Sequence, residues 1–283
     1  MNLSTWNDIV AILGVAMLGA SLLFWSNQND YIYEPMTALQ TTPERVGLQA
    51  EEIHIPSGTG AERGELFSWW LPAESPNLPT LLYLHGNDKN IGQARELEYA
   101  RSMHGMGYNV LMIDYRGYGN STGGAPSENK VYEDAESAWN YLVGQRGISP
   151  SRLFIYGHSL GGAIAIDLAL HHPEAAGIIE ESSFTSMPAV VNTTEFGFMP
   201  TDILLHQRFD SLAKVPKLKI PLLIIHGTWD KTVPYQMGQQ LYAAAHEPKT
   251  IVLIKGGAHE NSCIAGRMEC EQAFTGFVTK NLH

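Results

Sequence analysis

Arg152-Leu-Phe-Ile-Tyr-Gly-His-Ser-Leu-Gly-Gly162 joins three kinds of local structure in eleven residues. Leu153 to Tyr156 is a short continuous apolar run, the pattern of a strand buried on both faces. Gly157-His-Ser-Leu-Gly161 follows at once, and Ala163 to Leu170 is rich in Ala, Ile and Leu and reads as a helix. Strand, G-x-S-x-G and helix in that order form a nucleophile elbow, a turn so tight that the serine takes a strained backbone conformation and its hydroxyl stands clear of the sheet. Side chains at positions 157 and 161 would collide with neighbouring chain, so both are glycine. The start of the helix adds backbone N–H groups, with their partial positive charge, beside Ser159. A bare G-x-S-x-G that merely ends a strand is the competing reading; the flanking strand and helix weigh against it.

Outward from this point, short apolar runs alternate with helical ones. Strands are expected at Glu51–Ile55, Leu66–Leu71, Thr80–Leu84, Asn109–Ile113, Gly177–Ile179, Leu222–Ile225 and Thr250–Ile254. Helices are expected near Gln93–Met106, Lys130–Val143, Tyr235–Ala245 and Met268–Lys280. This alternation predicts an α/β fold: a mostly parallel sheet with helices on both faces. The first two strands, joined by Ser57-Gly-Thr-Gly60, form an antiparallel hairpin at its edge. Residues 182–221 have no place in the rhythm. They are rich in Met, Phe and Val, and in such a sheet an insertion there lies over the C-terminal strand ends, as a small apolar lid; an excursion that only packs is the alternative.

The chain has 283 residues, 44% hydrophobic and 17% charged, and a formal net charge of −11. That suits a globular domain with a sizeable core, expected over residues 31–283, and argues against nucleic-acid binding, which needs Lys/Arg patches. Residues 1–30 differ. Ile9 to Trp25 carries no charge, would span roughly 25 Å as a helix, and is flanked by Trp6 and Trp25. It reads as a single-pass membrane anchor. A signal peptide and a buried helix compete, but no Lys or Arg precedes the run and no small-x-small cleavage site follows. Neither flank sets the orientation. Asn27 to Gly47 is polar and reads as a linker.

A serine hydroxyl needs a base to take its proton. His259 follows the last strand in a Gly-Gly-Ala turn that leaves its ring over the sheet; His226 lies in a turn, and His171 and His172 read as helix caps. The imidazole needs a carboxylate to hold its tautomer and stabilise its charge. Asp230, past the penultimate strand, is the candidate, with Glu180 and Glu181 as rivals. Acyl transfer also needs donors aimed at the oxyanion: the N–H of Leu160, and that of Asn87 in the His85-Gly86-Asn87 loop. No metal or other cofactor is expected, because this chemistry uses none and no convincing ligand cluster is present.

Leu84-His-Gly-Asn87, Asp114-Tyr-Arg-Gly-Tyr-Gly119, Gly157-His-Ser-Leu-Gly-Gly162, Ile225-His-Gly-Thr-Trp-Asp230 and Gly257-Ala-His259 together resemble the α/β-hydrolase superfamily. They are most similar to the membrane-anchored, small-lid serine hydrolases of the α/β-hydrolase-domain type. The order Ser159, Asp230, His259 is the one that fold uses. The resemblance implies hydrolysis of a small-molecule acyl ester or thioester, with lysophospholipases, monoacylglycerol-type lipases and protein depalmitoylases among the relatives. It implies a structural role for Asp114 and Arg116. Peptide or amide hydrolysis, acyl transfer to another acceptor, and a non-catalytic binding protein remain as alternatives; a complete Ser-His-Asp set speaks against the last. The chain departs from the pattern after His259, where Glu260-Asn-Ser-Cys263 and a stretch to Cys270 replace a short acidic turn. Cys263 and Cys270 are candidates to pair, closing a short loop beside the histidine.

Overall fold

The computed structural model describes residues 3–75 and 77–282. Met1, Asn2, Pro76 and His283 fall outside it, as do several side chains near the N-terminus, among them Trp6, expected to flank the apolar run.

The chain begins with a long helix, α1 (Leu3–Ile32), followed by a two-residue strand, β1 (Glu34–Pro35). Then come β2 (Glu51–Ser57), β3 (Gly64–Leu71), β4 (Thr80–Leu84), β5 (Asp88–Lys89), α2 (Ala94–Gly105), β6 (Asn109–Ile113) and α3 (Glu128–Asn140). The elbow unit is β7 (Leu153–His158) and α4 (Leu160–His171), followed by β8 (Gly177–Glu181). Residues 182–221 hold three short helices, α5 (Met187–Val191), α6 (Thr201–Leu204) and α7 (Ser211–Lys214). The chain closes with β9 (Leu222–Gly227), α8 (Tyr235–Ala244), β10 (Lys249–Ile254), α9 (Ser262–Ala265) and α10 (Arg267–Asn281).

Eight strands form one sheet in the order β2-β3-β6-β4-β7-β8-β9-β10. The hairpin β2–β3 pairs antiparallel and joins β6 antiparallel; every pairing from β6 to β10 is parallel. The expected strands are all present, several one or two residues longer. The central ones are the uninterrupted apolar runs: Leu81 to Leu84, Val110 to Ile113 and Leu153 to Tyr156 are almost completely buried. Their alternate side chains feed two cores. One, under α3, α4 and α8, collects Leu82, Leu111, Ile155 and Ile178; the other, under α2 and α10, collects Leu81, Tyr83, Phe154 and Tyr156. This is the α/β-hydrolase fold.

Strand order places the site. After β4 the chain crosses outward to β6, then returns to the other side of β4 to form β7. The loops after β4 and β7 therefore leave neighbouring strands in opposite directions and open a crevice at their C-terminal ends, the switch point where ligands bind in open α/β sheets. Leu84 pairs with Gly157 in the register, so the His85–Asn87 loop and Ser159 emerge side by side.

The polar stretch expected as a linker is not free. Helix α1 runs on through Ile32, and the next residues pair in parallel with the loop after β4: Glu34 with Asp88 and Pro35 with Lys89. Burial explains the difference. Phe24, Ile32 and Tyr33 enter the first core, and the Gln28 side chain is 1% exposed. Its Oε1 accepts from the amides of His206 (2.9 Å) and Gln207 (3.2 Å), and its Nε2 donates to the Trp25 carbonyl. A polar sequence thus docks through polar side chains.

Candidate active site

The elbow is built by exclusion. Ser159 sits at φ 54°, ψ −116°, in the positive-φ region that L-residues rarely enter. A Cβ at Gly157 would strike the Gly161 carbonyl, and one at Gly161 would strike the Leu84 carbonyl of the neighbouring strand. Gly162, the third glycine, lies against the Ser183 side chain. The Ser159 amide donates to the Glu181 carbonyl at 2.8 Å, tying the turn to β8.

Ser159 Oγ lies 2.9 Å from His259 Nε2, and His259 Nδ1 lies 2.7 Å from Asp230 Oδ2. A carboxylate only accepts, so Nδ1 carries the proton and Nε2 offers its lone pair to the serine hydroxyl. All three residues are buried. Asp230 is fixed from its other side: Oδ1 accepts from the amides of Thr232 (3.0 Å) and Val233 (2.8 Å). Burial pushes this carboxyl up, but hydrogen bonds from His226 and His259 and the Val233 amide outweigh it and hold the pKa well below the usual carboxylate range. Asp230 is therefore ionised wherever the histidine works.

The rivals are engaged elsewhere. Glu181 ends β8 and accepts from the hydroxyls of Tyr99 (2.8 Å) and Tyr156 (2.8 Å) and from the Cys263 amide (3.2 Å). Glu180 accepts from the Ser183 amide at 3.1 Å, and burial raises its pKa to about 7. His226 is not in a turn: it belongs to β9, fully buried. Its Nε2 donates to the Val233 carbonyl at 2.9 Å and stands 3.3 Å from Asp230 Oδ2, so it helps hold the Asp230 loop. Asp114 and Arg116 are structural: Asp114 accepts from the Ile91 amide at 2.8 Å, and Arg116 pairs with buried Asp134 at 2.6 Å.

Three further contacts brace the site, of which only the Cys263–Cys270 pairing was expected. His158, inside the elbow, approaches the His259 carbonyl through Nε2 at 2.9 Å and so positions the histidine loop. Burial, with the neighbouring His259, lowers its pKa to about 4, so it acts as a neutral donor. Arg95 of α2 pairs with Asp88, Glu96 and Glu260, linking the loop after β4 to the residue after His259. Cys263 and Cys270 form a disulfide that ties α9 to α10. The x positions of G-x-S-x-G and an arginine near the start of a helix after β4 are the places where such signals stood.

Asn87 and Leu160 line the same cavity as Ser159, a space of about 480 Å³. Among the described residues neither of their amides donates to another backbone group, and Leu160 opens α4, where N–H groups have no partner within the helix. The rest of the lining is mostly apolar, with Phe184, Met187, Val190 and Leu205 from residues 182–221, and Phe24 and Ile32 from α1. Beyond His259 lies a second, shallower depression bordered by Trp229, Lys231, Glu260 and Asn261.

The fold, with a serine on a strained strand–helix turn facing a histidine, defines a serine-type α/β-hydrolase. Sequence comparison agrees: residues 76–209 and 205–262 match the family described as "Serine aminopeptidase, S33". The chain belongs to that family within the α/β-hydrolase superfamily. It is 33% identical over 274 residues to "Uncharacterized protein Rv2307c" of Mycobacterium tuberculosis, covering 96% of this chain and 94% of that one. It is 30% identical over 225 residues to "Alpha/beta hydrolase domain-containing protein 17B" of Xenopus tropicalis, covering 79% and 75%. The Pyrococcus furiosus esterase Pf2001 superposes with a TM-score of 0.75 over 89% of this chain and 99% of its own, at 18% identity, a likeness of fold.

Proposed function

We propose that the protein hydrolyses carboxylic esters or thioesters with an apolar, lipid-like acyl group, at a membrane surface, through Ser159, His259 and Asp230. The observation that carries this reading is the unbroken chain from Ser159 Oγ to His259 to Asp230 at 2.9 and 2.7 Å, opening on an apolar cavity. His259 Nε2 takes the serine proton as Oγ attacks the acyl carbonyl. Asp230 holds the ring and stabilises the imidazolium without itself taking the proton. The amides of Leu160 and Asn87 receive the oxyanion, where each such donor is worth about 10²–10³ in rate. His259 then protonates the leaving group, and a water activated by the same ring releases the acyl chain from Ser159. The acyl chain occupies the apolar cavity, residues 182–221 serve as its lid, and the leaving group exits over the depression beside Trp229.

Peptide hydrolysis is the reading to set against this, in view of the family's description. A free amino terminus calls for a carboxylate beside it. Among the described residues Glu195 is the only acidic one lining the cavity, and it is exposed at the rim.

Helix α1 is apolar and long enough over Ala11–Ile32 to cross a membrane, a test that an anchor and a signal sequence both pass. The uncharged run and the docking of Gln28 support an anchor that is retained. The disulfide favours a catalytic domain on an oxidising face. The test is a panel of p-nitrophenyl esters, acyl thioesters and aminoacyl amides assayed with full-length protein in detergent. Turnover of medium and long acyl esters or thioesters, lost in Ser159→Ala, is expected. Preference for aminoacyl amides would replace this reading with the peptidase one.

A further inference from the structure

We propose that helix α1 is a working part of the acyl site, not only its tether. Phe24, Gln28, Tyr31 and Ile32 form one wall of the channel that leads from Ser159 to the bilayer, and the rings of Phe24, Tyr31 and Phe196 gate its mouth. The proposal rests on Ser159 as the acylated nucleophile and on α1 as a membrane anchor.

Two observations converge. The first is the cavity itself: the four α1 residues line it together with Ser159 and Leu160. The rings of Phe24 and Tyr31 stack on one another within α1, 5.7 Å between centroids, and both meet Phe196 of the opposite wall at 6.1 and 5.9 Å. Phe24 is 6% exposed, whereas Leu22 and Leu23 beside it are 58% and 66% exposed. One face of the helix is thus built to meet this site while the rest is left for another apolar surrounding.

The second is length. A helix rises about 1.5 Å per residue, so the uncharged Ile9–Trp25 run covers roughly 25 Å of a hydrocarbon core about 30 Å thick. Phe24 and Trp25 then fall at its boundary, where tryptophan is favoured, and Gln28 to Ile32 stand among the headgroups. Helix α6 packs on α1 at this level, and its Ile203, with Phe198 just before it, is exposed to solvent. These side chains extend the apolar surface beside the mouth. Because α1 is one uninterrupted helix and Gln28 is bonded to residues 206 and 207, the mouth is held at a fixed height over the membrane. An amphiphile can leave the bilayer tail first and reach Ser159 without crossing water. The wall and gate residues set which acyl chains fit.

The experiment uses the full chain in phosphatidylcholine vesicles, with p-nitrophenyl acetate and p-nitrophenyl decanoate as probes. Phe24→Ala and Phe24→Trp should each lower kcat/KM for decanoate by about tenfold or more, the scale on which apolar pockets discriminate, and leave acetate within about twofold. Leu23→Ala, on the outward face, should match wild type on both. An unchanged decanoate-to-acetate ratio in both Phe24 variants overturns the proposal. As a measurement independent of variant folding, wild type is labelled with an alkyl fluorophosphonate bearing a diazirine at the chain end, then irradiated. Cross-links within residues 24–32 or at Phe196 support the channel; cross-links confined to 228–232 and 258–261 refute it. The underlying reading fails differently: the fluorophosphonate then does not attach to Ser159, or Ser159→Ala still turns over both esters, and the channel proposal falls with it.

Discussion

The floor and the roof of the cavity are made by different means. The floor is backbone: the ends of β4, β7, β9 and β10 bring Asn87, Ser159, Asp230 and His259 together, each close to glycines, several of them with no room for a side chain. The roof is side chains: rings of α1 and residues 182–221 meeting across the cavity, with one buried glutamine joining segments 178 residues apart. On the proposed reading, chemistry that tolerates little displacement rests on the first, and the second admits the flexible acyl chain. Breaking the floor should abolish reaction, and breaking the roof should loosen it locally.

The largest effect is expected at His259. His259→Ala should lower kcat by about 10⁴–10⁶, and the Ser159→Ala/His259→Ala double variant should be little worse, because members of such a unit are not additive. Ester kinetics check this; additive losses would mean that the two residues act separately. Asp230→Asn should cost about 10⁴ in kcat, since an amide can leave the imidazole in the wrong tautomer. A loss below tenfold would show that the carboxylate is dispensable.

A smaller effect concerns pH. The folded protein keeps His158 neutral down to about pH 4, whereas the unfolded chain protonates it near 6.5. Its contribution to stability is therefore complete above about pH 6.5 and is lost as pH falls toward 4, up to about 3 kcal/mol. Glu180, pushed up to about 7, acts in the opposite sense over part of that range. The informative quantity is the stability difference between wild type and His158→Gln, from urea unfolding at several pH values. That difference should shrink from pH 7 to pH 4; a constant difference would contradict the burial argument.

The smallest effect belongs to the roof. Gln28→Ala leaves the amides of His206 and Gln207 without an acceptor, a cost of about 1–2 kcal/mol. Hydrogen exchange should quicken by about five- to thirtyfold at those amides and leave the strands of the sheet unaffected. Quickening throughout β4 and β7 would mean that roof and floor unfold as one.

The same contrast explains what the sequence could tell. The floor was legible because each part is local: an apolar run, then Gly157-His-Ser-Leu-Gly161, His85-Gly86-Asn87 or Gly257-Ala-His259 within a few residues of a strand end. The mostly parallel sheet followed from the alternation of strands and helices; the strand order did not. The roof was not legible, because Gln28 reads as an ordinary polar residue until His206 and Gln207 are seen beside it. Asn27 to Ile32 looked like linker for that reason, although it continues the helix. His158 and His226 were passed over because a buried histidine shows its purpose only through its partner, the His259 carbonyl in one case and Asp230 in the other.

The central claim is that Ser159 is the nucleophile, raised by the elbow and activated through His259. The most direct measurement is site mapping with a fluorophosphonate probe on full-length protein, read by peptide mass spectrometry. The account predicts one adduct, on Ser159, absent from folded Ser159→Ala and formed far more slowly in His259→Ala. An adduct on another residue, or equal labelling of wild type and Ser159→Ala, would contradict it.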